Sequence, residues 1–195
     1  MAANTDIEKR AHIKEAAKKL FFQLGFSKTS MDDIARESGL AKPTLYYYYP
    51  SKESIFNEIV LEEAKEFMNQ LEARIDSSLP ADERLKIFIR DFYNGLKQYT
   101  REMESLPEYF CDHSPHGRPI IQKIQEILLE KIEPLLRAGV SEGIFSLSDP
   151  KSVAQSLVFQ ISFLNHDWMQ HYPEKTRNKI VNTTIEIILN GLKRR

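Results

Sequence analysis

The chain has 195 residues, 42% hydrophobic and 28% charged, with a net charge of −1. This is long enough to bury a core and ordinary for a soluble protein, which excludes wholesale disorder and a globally basic nucleic-acid tail. Its one cysteine, Cys111, allows no internal disulfide, the first residues lack an apolar signal stretch, and no run nears the roughly 18 apolar residues of a membrane span, so a cytoplasmic, membrane-free protein is expected.

Charge is uneven along the chain. Residues 1–56 hold nine Lys/Arg against seven Asp/Glu, and the remainder eighteen against twenty-one. Any basic footprint must therefore be local. The first helix is predicted to open at Thr5-Asp6-Ile7-Glu8, which reads as a capping box. Its apolar stripe is Ile13, Ala16, Ala17, Leu20, Phe21 and Leu24, and Gly25 stops it. A short helix follows from the cap Ser30, with Asp33 in its first turn, Ile34 and Ala35 inward, and Gly39 at its end. A third starts at Lys42-Pro43, where the missing proline N–H is harmless, and ends at Pro50.

From the cap Ser51 onward the helices lengthen. One carries Ile55, Phe56, Ile59, Phe67, Met68, Leu71 and Ile75. The next carries Leu85, Phe88, Ile89, Phe92, Leu96 and Tyr99. Residues 105–119, with three prolines and one glycine, read as loop. A long helix then runs through Ile120, Ile124, Ile127, Leu128, Leu135 and Leu136, with Pro134 near its end. Pro150 opens a penultimate helix reaching Trp168, and Pro173 opens the last, to about Leu192. Strand signals are scarce, so the fold class is all-α with about nine helices.

The informative segment is Thr29–Lys52: two short helices around a glycine turn form a helix-turn-helix unit, whose second helix lies in the major groove of DNA. That helix reads Lys42-Pro43-Thr44-Leu45-Tyr46-Tyr47-Tyr48-Tyr49. Consecutive residues step by about 100°, so four successive tyrosines point four ways and cannot all be buried. Exposed phenols suit phosphate oxygens, and their rings suit sugar and thymine methyl groups.

With these residues, the pattern Ile13…Ala17…Leu20-Phe21…Gly25-Phe26…Thr29-Ser30-Met31…Ile34-Ala35…Ser38-Gly39-Leu40…Thr44-Leu45-Tyr46…Tyr49…Ser51-Lys52-Glu53 resembles the N-terminal domain of tetracycline-repressor-type (TetR) regulators. The resemblance covers about residues 7–60. It implies a DNA-binding domain over 1–52 and a helical effector-binding and dimerisation domain over 53–195. It also implies that Thr29, Ser30, Tyr46, Tyr48 and Lys52 reach phosphates, that Lys42 and Thr44 reach base edges, and that Tyr47 packs on a sugar or base. Leu45 and Tyr49 would pack on Phe21 and Phe56. Asp32 and Asp33 suit the helix dipole but would repel DNA.

The last two helices each show two apolar faces, one more than a single core requires. A homodimer interface is therefore expected at Leu157, Ile161, Leu164, Trp168, Ile180, Thr184, Ile187 and Gly191, and a twofold dimer demands a palindromic operator in double-stranded DNA. By family analogy, Phe67, Phe88, Phe92, Tyr93, Phe110, Phe159, Phe163 and His166 line a cavity for a small lipophilic or aromatic effector, with simple core packing as the alternative for such a set. Cys111-Asp112-His113-Ser114-Pro115-His116 holds zinc-type ligands, but its spacing matches no structural site, so neither metal nor cofactor is expected. No phosphate loop or nucleophile–base pair suggests an enzyme. The chain reads as a ligand-responsive repressor, with an activator, a regulator without ligand, or a DNA-localised recruiting module as the alternatives.

Overall fold

Helical periodicity throughout the sequence becomes an all-α chain. The computed structural model describes residues 2–102, 117–163 and 171–193. Among these lie eight helices: α1 (Ala2–Leu24), α2 (Met31–Glu37), α3 (Lys42–Tyr48), α4 (Lys52–Arg74), α5 (Ala81–Glu102), α6 (Arg118–Ser141), α7 (Pro150–Phe163) and α8 (Glu174–Leu192). No helix of the described residues is long and apolar enough to cross a membrane. The described residues form two compact units: 2–64 with 117–123, and 65–102 with 124–163 and 171–193.

In the first unit, α1 begins at Ala2, so Thr5 lies inside the helix and does not cap it. Alanines at positions 2 and 3 favour extending the helix, and propensity overrides the capping pattern there. Ile13, Ala17, Leu20 and Phe21 are buried as expected, while Leu24 at the helix end is exposed. Gly25, at φ 85°, turns the chain in the left-handed region. Phe26 then comes back onto α1: its ring lies 5.3 Å from Phe21 and 5.0 Å from Phe56, and Phe21 meets Phe56 edge-on at 5.6 Å. This three-ring cluster ties α1, the following turn and α4 together. Burying a phenylalanine such as Phe56 is worth about 1.5–3 kcal/mol.

Ions join α1 to α4 along the outside. Arg10 bridges to Glu58, Lys14 to Glu58 at 3.1 Å, and Lys18 to Glu63 at 2.6 Å. Each exposed pair contributes little alone, about 0–1 kcal/mol, but the ladder fixes the register of the two helices.

In the second unit, Leu85, Phe88, Ile89 and Phe92 of α5 are buried, as are Val181, Ile185, Ile188 and Leu189 of α8. The two helices pack on one another. The end of α8 is tied to the start of α5 by Lys193, 2.8 Å from Asp82. A backbone hydrogen bond from the Ser146 N–H to the Leu192 carbonyl, 3.0 Å, closes the same end.

Glu58 makes the ladder pH-sensitive. Burial alone would raise its pKa, yet hydrogen bonds from Arg10 and Lys14 outweigh burial and hold the carboxyl below 4.5. A folded value below the unfolded one adds stability above the unfolded pKa, and this is lost as pH falls through the lowered value. Glu58→Gln should therefore be less stable than wild type at pH 7, with the gap closing once pH drops below 4.5. Urea midpoints measured from pH 7 to pH 3 check this, and a gap that stays constant to the acid end contradicts it.

Candidate nucleic-acid interface

Helix α2 owes its start to Ser30. The Asp33 N–H donates to the Ser30 hydroxyl oxygen at 3.2 Å, and the Ser30 N–H donates back to the Asp33 carboxylate at 3.1 Å, a reciprocal capping box. The Ser30 hydroxyl holds the Asp33 carboxyl below its ordinary range, helped by the Ser30 N–H and Arg36. Helix α2 ends where Gly39 takes φ 63° and donates to the Arg36 carbonyl, while Leu40 donates to the Ala35 carbonyl. That paired closure is the Schellman arrangement, and an L side chain at residue 39 would be strained whatever the space around it.

Helix α3 begins with Lys42 and Pro43 behind an Ala41 that supplies no side-chain cap. Its inner face is Leu45, fully buried, with Tyr49 just beyond the helix 1% exposed. The Arg10 guanidinium lies 4.4 Å from the Tyr49 ring centre, and burial drives the Tyr49 phenol pKa far upward. Anchoring these two residues turns the others outward. Tyr47 is 80% exposed and Tyr46 44%, Lys42 is exposed, and Thr44 and Tyr48 are half-buried. The four tyrosines thus separate as the helical step requires: one in the core and three toward solvent or the rim.

Carboxylates already engage two of the outward groups. The Lys42 ammonium sits 2.8 Å from Asp32, and the Tyr48 hydroxyl donates to Asp6 at 2.8 Å. Those hydrogen bonds raise the pKa of Lys42 and of Tyr48 above their ordinary values. The Asp6 contact had no sequence signal, because the partners lie 42 positions apart. Arg10, which donates to the Tyr48 carbonyl at 3.2 Å, was missed for the same reason.

Two residues expected at phosphates have other work. Thr29 is 1% exposed and its hydroxyl donates to the Gly25 carbonyl at 2.9 Å. Lys52 donates to the carbonyls of Phe26 at 2.8 Å, Ser27 at 3.3 Å and Thr29 at 2.9 Å, with its ammonium 4.6 Å from the Phe26 ring centre. These carbonyls follow α1, and the ammonium gathers them as a cap on the turn. Ser27, Lys28, Ser30, Asp32, Lys42, Tyr46 and Lys52 are among the residues lining a shallow open concavity of about 490 Å³ between the starts of α2, α3 and α4.

Of the residues expected around an effector, Phe88, Phe92 and Tyr93 are buried and Phe67 is half-buried, with the Phe67 and Phe92 rings 6.1 Å apart. Phe159 is a correction: at 71% exposure it lines no interior, because α7 turns it away from the buried Leu157, Val158 and Ile161. Phe110, His166 and the Phe163 side chain lie outside the described residues.

Of the residues expected between subunits, Leu157 and Ile161 are already buried within this chain. Ile180 and Thr184 are half-buried, while Ile187 is 68% exposed and Gly191 is exposed. Leu164 and Trp168 lie outside the described residues, as does the run Cys111–His116. Among the described residues no cluster of His, Cys, Asp or Glu could hold a metal.

Residues 13–59 match the family model described as bacterial regulatory proteins, tetR family. The chain is similar to the HTH-type transcriptional regulator YhgD of Bacillus subtilis (strain 168), with 25% identity covering 95% of this chain and 97% of that protein. Its fold is similar to a TetR-family transcriptional regulator from Syntrophomonas wolfei, with TM-score 0.73 and 20% identity over 95% of this chain and 96% of the other. It is similar also to the fatty acid degradation regulator FadR from Bacillus halodurans, with TM-score 0.66 and 22% identity over 96% and 97%.

If Lys52 serves chiefly as a cap, Lys52→Met should lower stability by about 1–3 kcal/mol, since its carbonyl partners lose a charged donor. A urea titration without DNA reads this directly. An unchanged midpoint would return Lys52 to a purely DNA-facing role.

Proposed function

We propose that this chain is a DNA-binding, helix-turn-helix transcription regulator of the TetR type and works as a ligand-responsive repressor, a homodimer on a palindromic operator. In this reading residues 1–52 read DNA and residues 53–195 carry the effector and dimer functions. The observation behind it is α3 itself. Leu45 and Tyr49 fasten one side, so the helix offers Lys42, Thr44, Tyr46 and Tyr47 on the other.

Lys42 and Thr44, in the first turn, reach base edges, as the N-terminal residues of a recognition helix do. Tyr46, Tyr48 and the exposed Ser30 at the start of α2 reach phosphates, and the Tyr47 ring lies against sugar or base. Thr29 and Lys52 set the entry angle of α2 from behind, through the turn they hold together.

The dimer reading draws on exposed apolar side chains. Ile187 on α8 and Phe159 on α7 are large and mostly solvent-exposed in the single chain. Two copies that cover them would be related by a twofold axis, matching the twofold symmetry of a palindrome. Phe159 thereby moves from the effector set to the dimer set.

The effector reading draws on the aromatic residues of the second unit, where Phe88, Phe92 and Tyr93 are buried and the Phe67 ring lies 6.1 Å from that of Phe92. FadR from Bacillus halodurans is named for fatty acid degradation, and an acyl chain is a ligand that such an interior suits. An effector lowers DNA affinity only to the extent that it binds the DNA-free conformation better.

Operator duplexes selected from a random pool by the purified protein test the whole reading, which requires palindromic sequences to emerge. On such a duplex, Lys42→Ala should weaken binding by about 1–3 kcal/mol and relax the base preference, whereas Tyr46→Phe should weaken binding evenly on all sequences. Retained sequence preference in Lys42→Ala would remove Lys42 from base reading. The double substitution Phe159→Glu with Ile187→Glu should halve the mass seen by light scattering while leaving the helical circular dichroism intact. A persistent dimer would place the interface elsewhere.

A further inference from the structure

We infer that Asp32 is a specificity-determining residue of the interface: it holds the Lys42 ammonium for base edges and keeps it from random phosphates. The inference rests on the reading of α3 as the DNA-facing helix.

Lys42 is badly placed for the fold. It stands in the first turn of α3, at the positive end of the helix dipole, where a cation is unfavourable. No side-chain cap and no acidic residue in that turn offset it. Its side chain is 57% exposed, so it covers little apolar surface. Nothing in the stability of α3 calls for a lysine there, which leaves interaction with a partner as its reason.

Asp32 meets it from the other helix of the pair. The carboxylate belongs to the first turn of α2, where the dipole favours an anion, and it lies 2.8 Å from the Lys42 ammonium. At 65% and 57% side-chain exposure the pair is well solvated and adds next to nothing to folding. What it does is geometric. An ammonium has three donors, so one can rest on Asp32 while the others stay available to acceptors in the groove. The long lysine stem is then held in one direction.

On random DNA the protein is held by phosphates alone, and each ammonium free to swing to a phosphate adds to affinity by releasing a counterion. A tethered Lys42 is denied that freedom. On the correct base sequence the tether costs little, because the ammonium is already directed toward base acceptors. The Asp6 hydrogen bond to Tyr48 places a second carboxylate on a group of the same face. Residues 1–56 carry only two more cations than anions, which agrees with an interface that restrains non-specific attraction. Against the very many competing sites of a genome, the ratio of specific to random affinity governs occupancy.

The test compares wild type, Asp32→Ala, Lys42→Met and the double variant. Each is titrated by fluorescence anisotropy against a mixed-sequence duplex and against a duplex selected by wild type, over a range of salt. Asp32→Ala should bind the mixed duplex about threefold more tightly, with a salt slope steeper by about 0.9, as one added phosphate contact dictates. Its affinity for the selected duplex should stay level or fall, so that the ratio narrows. In the Lys42→Met background, removing Asp32 should give no such gain.

An unchanged mixed-duplex affinity in Asp32→Ala overturns the inference. So does a gain that survives in the Lys42→Met background, since Asp32 would then act by charge alone and not through Lys42. If wild type and variant alike ignore both duplexes, the DNA reading itself fails and takes this one with it. Asp32 is exposed, and matching circular dichroism melts establish that the variant is folded.

Discussion

The orientation of α3 depends on a small aromatic knot, Phe21, Phe26 and Phe56, with the Lys52 ammonium over one of its rings. Two seven-residue helices cannot stand alone in water, because their nucleation cost exceeds what so few hydrogen bonds return. They persist here because Ile34, Ala35, Leu45 and Tyr49 are buried. The knot fixes where α1 ends and α4 begins. Lys52 binds the backbone that leads from α1 into α2, and the chain from there to α4 is too short to settle elsewhere. A cation among three carbonyls beside a ring also does what an apolar contact cannot, since it donates to backbone acceptors of the turn that follows α1.

The charges of the first unit follow from the same economy of parts. Most cations of α1 face carboxylates: Arg10, Lys14 and Lys18 meet α4, and Lys19 meets Glu37 of α2. They brace the scaffold and are compensated there. Around α3, Lys42 and Tyr48 are likewise met by carboxylates, Asp32 and Asp6. A near-neutral chain can therefore belong to a DNA-binding family, since the field that matters is that of a few side chains and not the sum over the molecule.

Much of the first unit was legible in the sequence, for local reasons. Ser30 with Asp33, Gly39 after α2 and Pro43 in the first turn of α3 act within one helical turn, and each stands where its spacing predicted. The buried stripe of α1 was legible because helical period alone defines it. What the sequence did not reveal was of two kinds. Thr5 had the form of a cap but lay inside a longer helix, so a local signal lost to neighbouring propensity. Thr29 and Lys52 were assigned by resemblance to phosphate. Their carbonyl partners belong to the turn after α1, and backbone acceptors leave no trace in residue identity. In the second unit, Phe159 was counted with the interior aromatics because composition cannot say which side of α7 faces in. Only the buried Leu157, Val158 and Ile161 reveal that it faces out.

The run of tyrosines gives the charge balance its meaning. A lysine-rich helix would draw any duplex through counterion release, with strength blind to sequence. Tyrosine brings a hydroxyl for phosphate and a ring for sugar or base, and with two side-chain torsions it loses less freedom on docking than lysine does. Tyr47, at 80% exposure, holds a large aromatic ring in water. That ring is held edge-on against Tyr48, 5.1 Å between centres, so its direction is partly set before any partner arrives. An interface built from such groups gains affinity from fit more than from charge, and fit is what differs between one sequence and another. In the proposed reading the carboxylates on Lys42 and Tyr48 act in the same sense: they weaken indiscriminate attraction and leave shape and base chemistry to decide.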